Sequence, residues 1–271
     1  MLNDPILAVA VRAARRAASV IVDAARDLKR MPSHARDQAG IALAADTDAE
    51  NAIIATLRAA FPGHTILGEE TGETFGAGEP PGGARGYRWI IDAIDGKANF
   101  VHGFPYYAVS IALTHGNEIT HAVVLDPVHD ELFTSIRGKG AQLNGLSINV
   151  SACSALDAAL VGTAFPNRTA AEMPGYLRIL NALLPQCAGM RRAGTCALDL
   201  AYIAAGRLDG CWVMNVKPWE LAAGALLVRE AGGRIGDFAG GGEFLRTHEI
   251  IAAAPGVFNP LREAIAAAAS R

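Results

Sequence analysis

From about residue 155 onward, short apolar segments alternate with longer segments of helical periodicity. Strands are predicted at 159–164, 188–192, 209–214, 234–237 and 249–254, and helices at 170–184, 195–205, 219–231 and 260–269. Such alternation is typical of an α/β sheet that carries helices on its faces. Gly206 and Gly232 fall where two of the helices are expected to stop, and Asn259-Pro260 falls where the last is expected to begin.

The first half has a different pattern, in which two long helices precede a run of short strands. Asp4-Pro5 predicts the start of a helix that runs to about residue 30, and Thr47-Asp48-Ala49-Glu50 resembles a capping box that begins the second. Strands are predicted at 64–67, 88–91, 108–114, 119–125 and 131–136, which favours a largely antiparallel sheet. We therefore predict an α/β protein with an α+β part over residues 1–150 and an α/β part over residues 151–271.

Composition excludes several classes of protein. The 271 residues are 51% hydrophobic and 19% charged, which is enough apolar material for a large core and too much for a disordered chain. The net charge of −3 offers no positive excess for nucleic acid or an anionic membrane. The uncharged segment between Lys97 and Glu118 contains too many polar residues and breakers for a membrane span. The four cysteines form no CxxC pair, and together these features predict a cytoplasmic protein.

Acidic residues follow three of the predicted strands. Glu69-Glu70 comes after the first strand, Asp92 and Asp95 after the second, and Glu220 after the strand at 209–214. Ligands of open α/β sheets bind beyond the carboxyl ends of the strands, so these acids are expected to converge. Mg²⁺ prefers carboxylate and carbonyl oxygens, which makes a magnesium site one reading of the set. Glu69 or Glu220 taken singly is better explained as a solvated surface charge or an acid at a helix start, and the Asp92–Asp95 turn is a somewhat stronger signal for a metal.

Three motifs carry a resemblance to the inositol monophosphatase family. The first signature of that family is similar to Trp89-Ile90-Ile91-Asp92-Ala93-Ile94-Asp95-Gly96-Lys97-Ala98-Asn99-Phe100. The second is similar to Pro218-Trp219-Glu220-Leu221-Ala222-Ala223-Gly224 followed by Glu230-Ala231-Gly232-Gly233. Gly68-Glu69-Glu70 matches a third family segment, and Leu198-Asp199-Leu200-Ala201-Tyr202 resembles the bacterial SuhB-type branch.

The resemblance implies a layered αβαβα sandwich of the type shared with fructose bisphosphatase. It also implies a homodimeric phosphoric monoester hydrolase that uses Mg²⁺ to hydrolyse a small polyol, sugar or amino-alcohol phosphate. The implied metal ligands are Glu69, Asp92, the Ile94 carbonyl, Asp95 and Glu220. The implied catalytic positions are Asp46, Glu69 and Lys97, and the implied phosphate-binding turn is Gly96, Lys97 and Ala98. The implied substrate-binding positions are Gly194, Thr195, Cys196 and Val213.

Three substitutions depart from the family pattern. Lys97 stands where the family has a threonine, Glu220 where it has an aspartate, and Val213 where it has an acid that binds sugar hydroxyls. An ammonium group at position 97 could replace part of the charge of a metal, or pair with Asp46 and withdraw that acid from the attacking water. We also expect Glu220 to reach toward Lys97. Val213 predicts poor recognition of myo-inositol 1-phosphate, because a valine side chain accepts no hydrogen bond.

Three functions therefore compete at the level of sequence. The first is a metal-dependent phosphomonoesterase whose activity is reduced by the substitutions. The second is a weak or inactive homologue that acts as an interaction protein, with RNA polymerase factors as the partner class that the SuhB resemblance suggests. The third, a 3′-phosphonucleotide phosphatase, fits the short chain and its SuhB-like second half less well.

Overall fold

The computed structural model describes residues 4–30, 38–77, 86–166 and 171–269. Two long helices that pack against each other come first, α1 (Pro5–Arg30) and α2 (Gln38–Ala60). Asp4 begins α1 as the sequence predicts, because its Oδ1 accepts hydrogen bonds from the backbone N–H groups of Ile6 and Leu7, both at 3.0 Å.

The first sheet has eight strands in the order β2-β1-β3-β4-β5-β6-β7-β8. Their bounds are β1 Thr65–Gly68, β2 Gly72–Thr74, β3 Tyr87–Asp95, β4 Ala108–His115, β5 Glu118–Asp126, β6 Glu131–Ile136, β7 Ala141–Leu143 and β8 Leu146–Ile148. Only the β1–β3 pair is parallel within this sheet as described, so the prediction of a largely antiparallel sheet is confirmed. A short helix, α3 (Lys97–His102), follows β3.

The second sheet has five strands in the order β10-β9-β11-β13-β12. Its strands are β9 Leu160–Thr163, β10 Gly189–Arg191, β11 Gly210–Met214, β12 Arg234–Gly236 and β13 Glu249–Ala253. The helices among them are α4 Met173–Leu183, α5 Cys196–Ala204, α6 Pro218–Glu230, α7 Phe244–Thr247 and α8 Pro255–Ala269. The predicted alternation of strands and helices is thus present.

Three hydrophobic clusters hold five layers together. The first cluster packs α1 and α2 on one face of the first sheet, with Trp89 fully buried among them. The second packs α5 and α6 between the two sheets, and the third packs α4 and α8 on the outer face of the second sheet around Trp212. The order is helix, sheet, helix, sheet, helix, which confirms the predicted αβαβα sandwich.

Two predicted helix boundaries were wrong. Helix α2 begins at Gln38 and not at Thr47, whose hydroxyl donates to the Leu43 carbonyl at 2.9 Å inside the helix. The alanine-rich segment before Thr47 has high helix propensity and extends the helix backward. Helix α8 begins at Pro255, so that Pro260 lies in its second turn. Pro260 is the sixth residue of the helix, beyond the first four N–H groups that lack an intrahelical acceptor, so α8 forgoes one internal hydrogen bond there. Within the described ranges, no helix is long and apolar enough to cross a membrane.

Candidate active site

The end of β3 changes the way its side chains alternate. The pairing of β3 with β4 shifts register between Asp92 and Asp95. Both acids are buried, with 1% and 4% of their surface exposed, although three positions of a regular strand would turn them to opposite faces. Gly96 follows with φ at +96°, and α3 begins at Lys97. Because a Cβ at Gly96 would lie 3.1 Å from the Tyr106 carbonyl oxygen, this tight turn favours glycine.

The Lys97 side chain reaches a cluster of three carboxylates. Its Nζ donates a hydrogen bond to Glu70 Oε1 at 2.6 Å and lies 2.8 Å from both Asp46 Oδ2 and Glu69 Oε1. Asp46 comes from α2, whereas Glu69 and Glu70 come from the turn between β1 and β2. The three acids offer oxygens that all lie within 4.8 Å of one another, close enough to hold a cation. The lysine ammonium is the cation that these acids contact.

Electrostatics in this cluster follow from burial and from the ammonium. Burial alone would lower the pKa of Lys97, but its contacts with Asp46, Glu69 and Glu70 outweigh it, and the pKa rises above its ordinary value. Burial raises the pKa of Asp46 to about 7, against the opposing effect of Lys97. The hydrogen bond from Lys97 lowers the pKa of Glu70. The lysine therefore stays charged at neutral pH.

A second group of acids lies at the end of β3 and the start of α6. Burial raises the pKa of Asp92 well above its ordinary value, and the negative charges of Asp95, Glu69, Glu220 and Asp46 raise it further. Burial, followed by the charge of Asp95, raises the pKa of Glu220 to about 8. These shifts are expected for acids that share one region of low dielectric. A metal shared among them stays a prediction.

Two segments restrain Asp95 and Glu220. The Thr195 hydroxyl donates a hydrogen bond to Asp95 Oδ2, and the Ala197 N–H donates to the same oxygen at 2.8 Å. Burial nevertheless raises the pKa of Asp95 to about 6. Glu220 Oε2 accepts a hydrogen bond from the Lys217 N–H at 2.6 Å, at the N-terminus of α6. The expectation that Glu220 would reach toward Lys97 was wrong, because the free N–H at the helix start provides a nearer donor.

The acids at the end of β3 fit a hard divalent cation by their chemistry. Asp92 Oδ1 is buried and accepts no hydrogen bond, which leaves a carboxylate oxygen available as a ligand. The carboxylates of Asp92, Asp95 and Glu220 supply the oxygen ligands that Mg²⁺ prefers. A divalent cation between Asp46, Glu69 and Glu70 would instead have to displace the Lys97 ammonium.

Of the predicted substrate positions, Gly194 and Thr195 lie beside Asn99 and Asp95, whereas Cys196 and Val213 lie inside the hydrophobic core between the sheets. Gly194, with φ at +107°, lies beside the Asn99 side chain, and Thr195 is engaged with Asp95. Cys196 and Val213 are each 3% exposed within the core, so their side chains offer little surface to a ligand. Ile94 is likewise buried, and the role of its carbonyl stays a prediction. Ala98 is exposed beside Lys97 on α3.

Sequence reasoning missed the residue that holds the Glu69-Glu70 turn. Glu50 is fully buried, and its carboxylate accepts hydrogen bonds from the N–H groups of Glu70 at 3.1 Å and Thr71 at 2.8 Å. Gly68 leaves room for it, since a Cβ there would lie 2.4 Å from Glu50 Oε1. A signal was present in the spacing, because Glu50 lies on the same helix face as Ile53 and Leu57.

The family model named inositol monophosphatase family matches residues 2–271. The chain belongs to the inositol monophosphatase family. It is 45% identical over 251 residues to the Nus factor SuhB of Pseudomonas aeruginosa, a match that covers 92% of this chain and 91% of the relative.

Two solved structures agree with this assignment. The extragenic suppressor protein SuhB of Bartonella henselae superposes with a TM-score of 0.85 and 37% identity, over 97% of this chain and 100% of that one. The inositol monophosphatase of Anabaena superposes with a TM-score of 0.82 and 32% identity, over 97% and 95% of the two chains. The fold and family predicted from the motifs are confirmed.

Proposed function

We propose that this chain is a phosphomonoesterase of low turnover that acts on a small polyol, sugar or amino-alcohol phosphate. The observation that carries the proposal is the group formed by the buried Asp92 and Asp95 and the half-buried Glu220, with Asp92 Oδ1 left without a hydrogen bond. Burial of a carboxylate oxygen without a hydrogen bond lowers stability, and acids with shifted pKa values cluster at functional sites. In this proposal they hold one Mg²⁺.

The chain's own residues have distinct tasks in this proposal. A bound Mg²⁺ would supply Lewis-acid polarisation of the phosphate and of bound water. Lys97 places a positive charge within the predicted phosphate-binding turn, Gly96 to Ala98, where it would attract the dianionic phosphate group of the substrate. The same ammonium contacts Asp46 and Glu69, so an attacking water must compete with Lys97 for the carboxylate oxygens. Low turnover follows from that engagement.

The proposal is tested by phosphate release from a panel of phosphomonoesters at increasing Mg²⁺ concentration. We expect slow, Mg²⁺-dependent release that Asp92→Asn lowers at least 100-fold, whereas the exposed Asp157→Asn leaves it unchanged. We expect myo-inositol 1-phosphate to be a poor member of the panel, because Val213 accepts no hydrogen bond. Release equal to that of the buffer, or release unaffected by Asp92→Asn, would refute the proposal.

A second candidate function is favoured by the relatives. The similar proteins of Pseudomonas aeruginosa and Escherichia coli are named Nus factor SuhB and are 45% and 41% identical to this chain. These names, together with the contact of Lys97 with the acids Asp46, Glu69 and Glu70, support a role in binding transcription factors. This interaction role is tested by measuring the binding of the purified chain to RNA polymerase and to purified Nus factors by biolayer interferometry. Light scattering in the same samples tests the homodimer that we expect from the family.

A further inference from the structure

We infer that Lys97 is a built-in cation that fills the metal position formed by Asp46, Glu69 and Glu70. In consequence the chain binds no divalent cation in that cluster and needs none to neutralise it. This inference concerns charge neutralisation and metal count, and it holds whether or not the chain hydrolyses phosphate.

The contacts of Lys97 match those of a bound cation. An ammonium carries three N–H groups and accepts no hydrogen bond, and Nζ lies within 2.8 Å of an oxygen from each of three carboxylates. Asp46 is 1% exposed at its side chain, so its contact with Lys97 is not a solvated surface pair. A divalent cation at hydrogen-bond distance from the same oxygens would face the ammonium directly, and the two positive charges repel.

Contacts within the chain fix the positions of the acids Asp46, Glu69 and Glu70 and of Lys97. Asp46 and Glu50 lie one turn apart on α2, and Glu50 fixes the Glu69-Glu70 turn through the N–H groups of Glu70 and Thr71. Both sides of the cluster are therefore tied to the same helix. Lys97 enters from the first position of α3, directly after the left-handed Gly96. The side chain is thus delivered by backbone geometry and does not depend on a ligand.

Counting bound Mn²⁺ on the full chain tests the inference directly. Titration calorimetry and the electron paramagnetic resonance signal of free Mn²⁺ give the number of ions bound. We expect Lys97→Thr and Lys97→Met each to bind one more Mn²⁺ per chain than the native protein, while Lys97→Arg binds no additional ion. The exposed Lys139→Met is the matched control and keeps the native count. An equal count in the native protein, Lys97→Thr and Lys97→Met would overturn the inference.

Thermal unfolding in EDTA gives a second readout. Removal of the ammonium leaves the three acids to repel one another, so Lys97→Met should lower the unfolding midpoint by about 5 °C, and Mn²⁺ should restore it. The Lys139→Met midpoint should stay within about 1 °C of the native value. A Lys97→Met midpoint that is unchanged in EDTA, or not restored by Mn²⁺, would contradict a cation role.

A variant that retains Lys97 keeps the inference testable if the Lys97 variants do not fold. Glu70→Gln removes one carboxylate of the cluster but leaves the ammonium in place. We expect its Mn²⁺ count and affinity to equal those of the native chain, and a tenfold weaker affinity would show that Glu70 binds the metal. Failure of phosphate release would refute the proposed function and leave these metal counts untouched.

Discussion

Substitution of Gly68 by alanine should disrupt the Glu69-Glu70 turn through Glu50. A Cβ at position 68 would lie 2.4 Å from Glu50 Oε1 and 2.6 Å from its Cδ, closer than the 3.0 Å that real Cβ atoms respect. Glu50 cannot withdraw without cost, because its two oxygens accept hydrogen bonds from the N–H groups of Glu70 and Thr71. The clash at the end of β1 is therefore expected to displace Glu50 and, with it, the turn that carries Glu69 and Glu70.

The magnitude follows from two terms. Overpacking of a buried site costs about 1–3 kcal/mol. Loss of a hydrogen bond to a charged acceptor costs about 1.5–3 kcal/mol, and at least one of the two Glu50 bonds must break. We expect Gly68→Ala to lower the free energy of unfolding by about 4 kcal/mol, a large share of the roughly 5–15 kcal/mol available to a folded domain. Glu50→Ala should cost a similar amount, because it leaves both N–H groups without their acceptor.

A double-mutant cycle measured by urea unfolding decides whether the two residues act as one unit. The double variant Glu50→Ala/Gly68→Ala should cost about 3 kcal/mol less than the sum of the single variants, since the methyl group then has no carboxylate to displace. Gly40→Ala on α2 is the matched control: its Cβ meets nothing within 4 Å. It should stabilise the helix by up to about 1 kcal/mol. Additivity within about 0.5 kcal/mol would refute the coupling.

Two further predictions concern the buried Asp199 and the half-buried Asn99. Burial raises the pKa of Asp199 from 3.8 to about 7, so the folded chain holds an extra proton between those values and its stability falls as pH rises from 4 to 7. Asp199→Asn should flatten that fall by up to about 1.4 kcal/mol per pH unit, and urea unfolding with the same slope in both proteins would contradict it. Asn99 donates to the carbonyls of Tyr106 at 2.7 Å and Ala193 at 2.8 Å, and a carboxylate cannot donate. Asn99→Asp should therefore lower the free energy of unfolding by about 3 kcal/mol, while the exposed Asn117→Asp stays within about 0.5 kcal/mol.

The layers of the fold could be predicted because apolar periodicity reports which faces are buried. The alternation after residue 155 predicted the second sheet and its helices, and five of the eight strands of the first sheet were predicted in order. Short strands such as β7 and β8 were missed, since three residues carry too little periodicity to detect. The start of α2 was missed because a capping motif at Thr47 competed with helix propensity in the residues before it, and propensity prevailed.

The site was predictable in its composition but not in its contacts. Motif positions indicated which acids belong together, and the possibility that Lys97 pairs with Asp46 follows from charge alone. That Glu70 also binds the ammonium, and that Glu220 binds the Lys217 N–H, depends on rotamers that spacing does not determine. Glu50 was missed because an acid inside a helix is ordinarily a surface charge, and only the turn that it holds explains its burial.

The two acid groups are neutralised by different means, and this distinguishes their response to pH. The group of Asp46, Glu69 and Glu70 has a lysine whose pKa those acids raise, so its charge persists across the neutral range. The group at the end of β3 has no ion pair with a cation among its described contacts, and burial outweighs the opposing charges of Lys97 on Asp95 and Lys217 on Glu220. The pKa of Asp95 is raised to about 6 and that of Glu220 to about 8, so these carboxyls hold protons below those pH values. A metal must displace those protons, because carboxylate ligands bind in their ionised form. Rising pH therefore opens the second group to a divalent cation, while the first stays closed by its own lysine.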